Sequence, residues 1–249
     1  MNECKERDAC AAVSESRANL ARNNPELAAM RARLERDAFS RQGALSTIKK
    51  HLVTIAALTA LRAVSNVREK TEAALADGVS PVQIREAVYQ CAPYAGFPAT
   101  EDAMREVDAA FSARGIALPL EHQATVTEEN RFEKGLYVQK GIFGDVIDAM
   151  HASAPEGQKA IMVDHLSAFC FGDIYTRRGL DLKTRELLTF SIISALGGCE
   201  AQVKSHVQGN ANVGNAKQEL IDALEVCLPL MGFPRTLNAL SCVNAVMPD

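Results

Sequence analysis

Two stretches of the chain, CAPYAGFPATEDAM at residues 91–104 and CLPLMGFPRTLNAL at residues 227–240, lie 136 positions apart and share the frame C-x-P-x-x-G-F-P-x-T-x-x-A. Without any gap, the same offset pairs Leu52 with Leu188, Val67 with Val203, Gly78 with Gly214, Ala87 with Ala223, and RQG (41–43) with RRG (177–179). Agreement in the glycines and prolines carries the inference, because those residues mark where a backbone turns. The same backbone is therefore built twice, and any architecture for this chain must hold two like units in tandem.

Within each unit apolar residues recur at three and four positions and alternating strand patterns are absent, so the expected class is all-α. In the second unit, DLKTRELLTFSIISALGG places Asp181 as an N-cap and a glycine pair as the stop. The next helix is expected over roughly 199–213, ending near Gly214. Asn215 and Gln218 have capping-box spacing for the helix after it, as do Ser80 and Gln83, with Pro81 at the first helical position of the first unit. A further helix follows each GFP. The expected layout is an N-terminal arm at 1–25, a first, degenerate repeat at 26–114, a linker at 115–130, and a second repeat at 131–249 that begins with two extra helices.

Composition removes several function classes. A formal charge of −4 with interspersed signs offers no basic stripe for phosphates, so no nucleic acid partner is expected. No apolar run reaches about 18 residues and MNECKERDAC is charged where a leader peptide is hydrophobic, so the expectation is a cytoplasmic protein with no membrane partner. Seven cysteines, an odd number and scattered, read as reduced thiols. They show no CxxC pair and no zinc-type Cys/His spacing, and no metal site is expected.

The chemistry concentrates in LGGCEAQVKSH (196–206), where Cys199 and His206 are seven apart and so nearly on one helical face. A thiol in a first helical turn faces unpaired N–H groups, which lowers its pKa, and Cys199 is the candidate nucleophile on that ground. The bland alternatives are a buried cysteine and a histidine on the wet face of its helix. The first unit has Ala63 and Lys70 at the equivalent positions, so neither Cys199 nor His206 is needed to build the repeat. By the same comparison Cys91 and Cys227, present in both units, are structural. Glu186, on the preceding helix, is a candidate to orient His206 or take a proton from the thiol. Arg177, Arg178 and Arg185 are candidates to hold a substrate carboxylate.

The segment 171–240, with its R-x-G-L-D-x-x-T-R start, His-centred helix, N-x-G turn and P-x-x-G-F-P-x-x-x-N-A end, resembles the carboxymuconolactone decarboxylase family, which includes the alkylhydroperoxidase D type. The resemblance implies an all-helical fused duplicate, assembling as trimers or hexamers with sites near subunit interfaces. It implies one of two chemistries. In the alkylhydroperoxidase pattern C-x-x-C-x-x-x-H, the first cysteine falls on Cys199, the histidine on His206, and Gln202 replaces the second cysteine; the family glutamate is matched by Glu186, one position out of register. That reading is a thiol-dependent oxidoreductase with peroxiredoxin activity on a hydroperoxide or disulfide, served by an external thiol reductant or by Cys170 or Cys242. The other is a decarboxylase of a carboxylated lactone, working without metal or organic cofactor, in which His206 moves a proton. A non-catalytic assembly protein is the third expectation.

Overall fold

A computed structural model describes residues 19–248. The expected arm lies mostly outside the described residues, as do Cys4 and Cys10. The described residues are helical and contain no strand. In chain order the helices are α1 (Pro25–Ser40), α2 (Thr47–Ala60), α3 (Val67–Ala76), α4 (Pro81–Tyr89), α5 (Ala92–Ala95), α6 (Phe97–Ala113), α7 (Arg131–Phe143), α8 (Val146–Ser153), α9 (Ala160–Tyr175, wound with the wider π spacing), α10 (Leu182–Leu196), α11 (Glu200–Asn212) and α12 (Lys217–Val246).

The repeat offset carries α1 onto α9, α2 onto α10, α3 onto α11, and the run α4–α5–α6 onto α12. The correspondence extends to backbone angles. Gly96 (φ 84°, ψ 161°) separates α5 from α6, and Gly232 (φ 76°, ψ 171°) breaks α12 at the matching place, each just before the Phe-Pro that restarts the helix. α12 is long and apolar enough on average to cross a membrane by length and composition, but it is two helical pieces, and Leu220, Ala223, Leu224, Cys227 and Val243 are buried in the core.

Local capping follows the sequence at most ends. Asp181 accepts from the Thr184 amide at 2.8 Å, Gly197 (φ 71°) stops α10, and Ser80 and Gln83 form a full capping box. The start of α12 differs from expectation: Ala216 takes the N-cap position and Glu219 accepts its N–H at 2.9 Å. Asn215 is instead buried, donating to the Lys183 carbonyl and to Asn210. It stitches the end of α11 to the start of α10.

The equivalent helices α2 and α10 pack on one another at the centre, and the copies exchange their leading helices: α1 lies on α12 of the second copy, while α9 meets Tyr94 and Phe97 of the first. The core between them is one continuous cluster containing Leu52, Ile55, Leu58 and Ile84 of the first copy with Leu187, Phe190, Ile192 and Leu220 of the second. α7 has no counterpart among the described residues. It lies along α9 at very short range, because Gly135 and Gly172 bear no Cβ and each presses on the other helix's backbone.

Two carboxylates bind the copies across the exchange. Glu86 of α4, fully buried, accepts from Arg177 through both Nε and Nη2 (2.8 and 2.9 Å) and from the buried Arg185 at 3.1 Å. Its equivalent, Asp222, accepts from the Ala44 and Leu45 amides before α2. A Cβ at Gly179 would strike Glu86 and Val82, and one at Gly43 would strike Asp222, which accounts for the glycine in both RRG and RQG. Removing Glu86 strands the Arg185 guanidinium in the interior. Glu86→Ala is expected to lower unfolding stability by about 3–5 kcal/mol in urea denaturation, with Glu86→Gln losing less because it keeps an acceptor oxygen.

Candidate active site

The structure brings Glu186 and His206 into contact. Glu186, on the second turn of α10 and wholly buried, accepts from His206 Nδ1 at 2.9 Å through Oε2. Gly209, one turn beyond His206 on α11, makes room for it, since a Cβ there would stand 2.5 Å from Glu186 Oε2. Asn210 of α11 donates to the backbone carbonyls of Glu186 and His206 at 3.0 and 2.7 Å and locks the two helices in register. With Nδ1 committed to the carboxylate, Nε2 is the ring nitrogen left for chemistry. His206 is not on a wet face: it is 9% exposed, and Tyr94 and Phe143 stand edge-on to its ring at 5.9 and 5.4 Å.

The other carboxylate oxygen is held by a residue that sequence reasoning passed over. Tyr175, at the end of α9, donates its hydroxyl to Glu186 Oε1 at 2.6 Å. Burial, with the Glu186 carboxylate alongside, pushes the Tyr175 hydroxyl well above the ordinary tyrosine range, so it stays a donor. That leaves Thr189, 2.7 Å away, to donate to the Tyr175 oxygen, while Gln90 Nε2 donates to Thr189 at 3.0 Å. Gln90 Oε1 in turn accepts from Arg185 at 2.9 Å. A continuous line of hydrogen bonds thus runs from the Glu86–Arg185 pair between the copies through Gln90, Thr189, Tyr175 and Glu186 to His206.

Around this line the walls are aromatic. Tyr94 and Phe143 flank the His206 ring, Phe171 packs on Phe143 and Tyr175, and Cys170 sits 3.6 Å from the Tyr94 hydroxyl. Phe143 is the last residue of α7, anchored where Asn212 of α11 donates to the Ile142 carbonyl at 2.8 Å. Burial raises the Cys170 thiol to about 12 and Cys227 likewise to about 12, so both are neutral packing thiols.

The expected cysteine stands apart from this cluster. α11 begins at Glu200, and Cys199 occupies the cap position with its Sγ turned back to the Ile193 carbonyl at the end of α10 (3.2 Å). It lines a separate hollow with Gly197, Gly198, Pro234, Arg235 and Asn238. The helix-terminus argument for a lowered pKa fails because the thiol faces a carbonyl and not the amide groups of α11. Burial, followed by the neighbouring charges of Glu200 and Cys242, pushes it up. Cys242 is itself raised by burial, against the pull of Lys204.

The arginines are also placed differently from expectation. Arg177 and Arg185 are consumed by Glu86, and Arg185 gives its remaining hydrogen bonds to Gln90 and to the carbonyls of Arg177 and Arg178. Arg185 is wholly buried, while Arg177 also lines a hollow with Tyr137, Tyr175 and Leu180. Arg178 is exposed on the loop before α10, where its N–H donates to the Gln123 carbonyl. Among the described residues no group of three or more His, Cys, Asp or Glu side chains is disposed to hold a metal ion.

A helical tandem with a buried Glu–His pair on adjacent helices of one copy defines the class as a duplicated all-α protein that carries this pair in its second half. The model of the carboxymuconolactone decarboxylase family matches residues 25–109 and 162–245, together more than half of the chain, and the protein belongs to that family. It is 26% identical over 124 residues to 4-carboxymuconolactone decarboxylase of Acinetobacter baylyi, an alignment covering 50% of this chain and 92% of that protein. The two matched regions coincide with the spans α1–α6 and α9–α12.

With its pKa raised, Cys199 holds less thiolate at neutral pH than a free thiol. Its alkylation by iodoacetamide, followed by mass spectrometry across a pH series, is expected to be slow at pH 7 and to climb only above the free-thiol value of about 8.5.

Proposed function

We propose that the second copy is a proton-transfer enzyme acting on a small carboxylated lactone or a related conjugated carbonyl acid, with His206 as the acid/base group. The observation that carries this reading is the fixed Nδ1–H of His206 on Glu186, which orients the ring and leaves Nε2 for the substrate. The 4-carboxymuconolactone decarboxylase similarity supports the same class of substrate.

In decarboxylation, a carboxylate departs as carbon dioxide while the pair of the breaking C–C bond moves into the conjugated carbonyl. The protonated His206 then gives its Nε2 proton to the carbon that lost the carboxylate, and a solvent proton restores the imidazolium. Glu186 balances the imidazolium charge, and the Tyr175 hydroxyl keeps the carboxylate from rotating away. The aromatic walls favour loss of carbon dioxide, because charge concentrated on a carboxylate is more poorly solvated there than charge spread over a delocalised system. A thiol oxidoreductase through Cys199 has less support: it would have to run without the imidazole beside it and with a thiol held mostly protonated.

The purified protein is expected to release carbon dioxide from a γ-carboxylated lactone. His206→Asn should reduce kcat by about 10²–10⁴-fold with the circular dichroism spectrum unchanged, while Cys199→Ser leaves the rate intact. Loss of turnover of peroxide or disulfide in Cys199→Ser, with no lactone activity in the parent protein, would overturn the proposal. Gly209→Ala drives a methyl group against Glu186 Oε2 and the Phe143 ring and is expected to lower kcat/KM, since it disturbs both the group that orients the imidazole and one of the aromatic walls beside it.

A further inference from the structure

α10 ends and α11 begins with only Gly197, Gly198 and Cys199 between them, and both helix ends line one hollow of about 250 Å³. The last carbonyls of α10 and the first amides of α11 lack partners within their helices, and the two ends carry partial charges of opposite sign. Cys199 holds the cap position of α11, yet its side chain accepts from no amide there. The facing wall comes from the second piece of α12, through Pro234, Arg235, Asn238 and Ala239. Arg235 lies across the turn, its Nε 3.1 Å from where a Cβ on Gly197 would stand.

A buried polar group in this wall is unsatisfied. Ser194 is 2% exposed, lines the hollow, and has no hydrogen-bond partner for its hydroxyl among the described residues. Ser191, on the same helix, gives its proton to the Leu187 carbonyl at 2.8 Å, and Ser194 makes no such bond. A hydroxyl withdrawn from water in this way costs free energy until something that enters the hollow meets it. The charged side chains that line the hollow are Arg235 and Glu200, both exposed. Among the described residues neither is in an ion pair, and Glu200 accepts from Asn238 Nδ2 at 3.4 Å. Their charges sum to zero but do not meet. At the repeat offset Ser194, Cys199 and Arg235 answer to Leu58, Ala63 and Ala99, so the fold does not require their polarity.

We infer that this hollow binds a small α-amino acid as its zwitterion. The carboxylate lies toward Arg235, the Ser194 hydroxyl and the first amides of α11, and the ammonium toward Glu200 and the last carbonyls of α10. A small side chain rests on Leu196, Val203 and Ala239. A bare anion would leave Glu200 facing its own sign, and a bare amine would do the same to Arg235. The helix ends are so close in the chain that the two ligand charges must also be close, as they are on the single α-carbon of an amino acid. The site stands independently of the chemistry assigned to His206.

The test uses the full chain and L-alanine as the probe, with propionate and ethylamine as single-charge controls, followed by isothermal titration and saturation-transfer NMR. L-alanine is expected to bind saturably and each control at least about tenfold more weakly. Arg235→Gln and Glu200→Gln, both at exposed positions, should each weaken L-alanine by about tenfold or more. Glu200→Gln should also bring propionate to within about twofold of L-alanine, because it removes the group that rejects a bare anion. Ser194→Ala should weaken L-alanine by about fivefold, and His206→Asn should leave its binding unchanged. Absence of saturable binding up to about 50 mM, a control that binds the parent protein as well as L-alanine does, or L-alanine binding indifferent to both charge variants would overturn the inference.

Discussion

The buried Glu86 carboxylate is the constraint on which the rest of the molecule turns. It leaves the first copy to meet two guanidinium groups of the second, and one of these, on Arg185, is wholly enclosed. Neither charge can be removed singly without exposing the other to an interior of low polarity. The reciprocal carboxylate, Asp222, reaches back to the turn before α2. Each copy therefore finishes the turn that launches the central helix of the other, which explains why the leading helices α1 and α9 are exchanged. Such a crossing makes the two copies one folding unit.

The same Arg185 that meets Glu86 also donates to Gln90, and from there the hydrogen bonds run without a gap to His206. The orientation of every member is set by its neighbour. Arg185 can only donate, so the Gln90 amide must present its oxygen there and its nitrogen to Thr189; Thr189 then has its proton for Tyr175, whose own proton goes to Glu186. The join between the copies and the orientation of the imidazole are thus parts of one network, and the surroundings of the Glu186–His206 pair include two side chains of the first copy, Gln90 and Tyr94.

Much of this was legible in the repeat. Its glycines and prolines located the turns, and the contrast between copies singled out His206 and Cys199 together. The contrast marks positions where the copies differ, but it holds no information on direction. Cys199 turns toward the end of α10 because the chain leaves Gly197 and Gly198 with positive φ, and only the three-dimensional path reveals that the thiol meets a carbonyl. The pairing of Arg177 and Arg185 was hidden for a different reason: their partner Glu86 is about ninety residues away in sequence, and nothing in the RRGLDLKTR segment announces it. Applied more widely, the contrast would have found Tyr94, Tyr175, Thr189 and Gln90, whose counterparts are Leu230, Phe39, Val53 and Val226. Each is a polar group whose counterpart at the repeat offset is apolar.

That pattern shows how a duplicated helical unit can part with its original symmetry. The backbone correspondences, down to Gly96 and Gly232, lie at turns and helix breaks, where a change would unfold the unit. The differences gather in the two central hollows, where the packing tolerates exchange as long as volume and charge are balanced. In the second copy a carboxylate, an imidazole and two tyrosine hydroxyls form a network closed over by Phe143 at the end of α7. In the first, lysines replace both members of the Glu–His pair, their charge goes to backbone carbonyls and to Glu35, and no described helix fills the place of α7. A histidine without its carboxylate would lose its orientation, and a buried carboxylate without its donors would be costly. The two residues must therefore be kept or lost together, and the first copy has lost both.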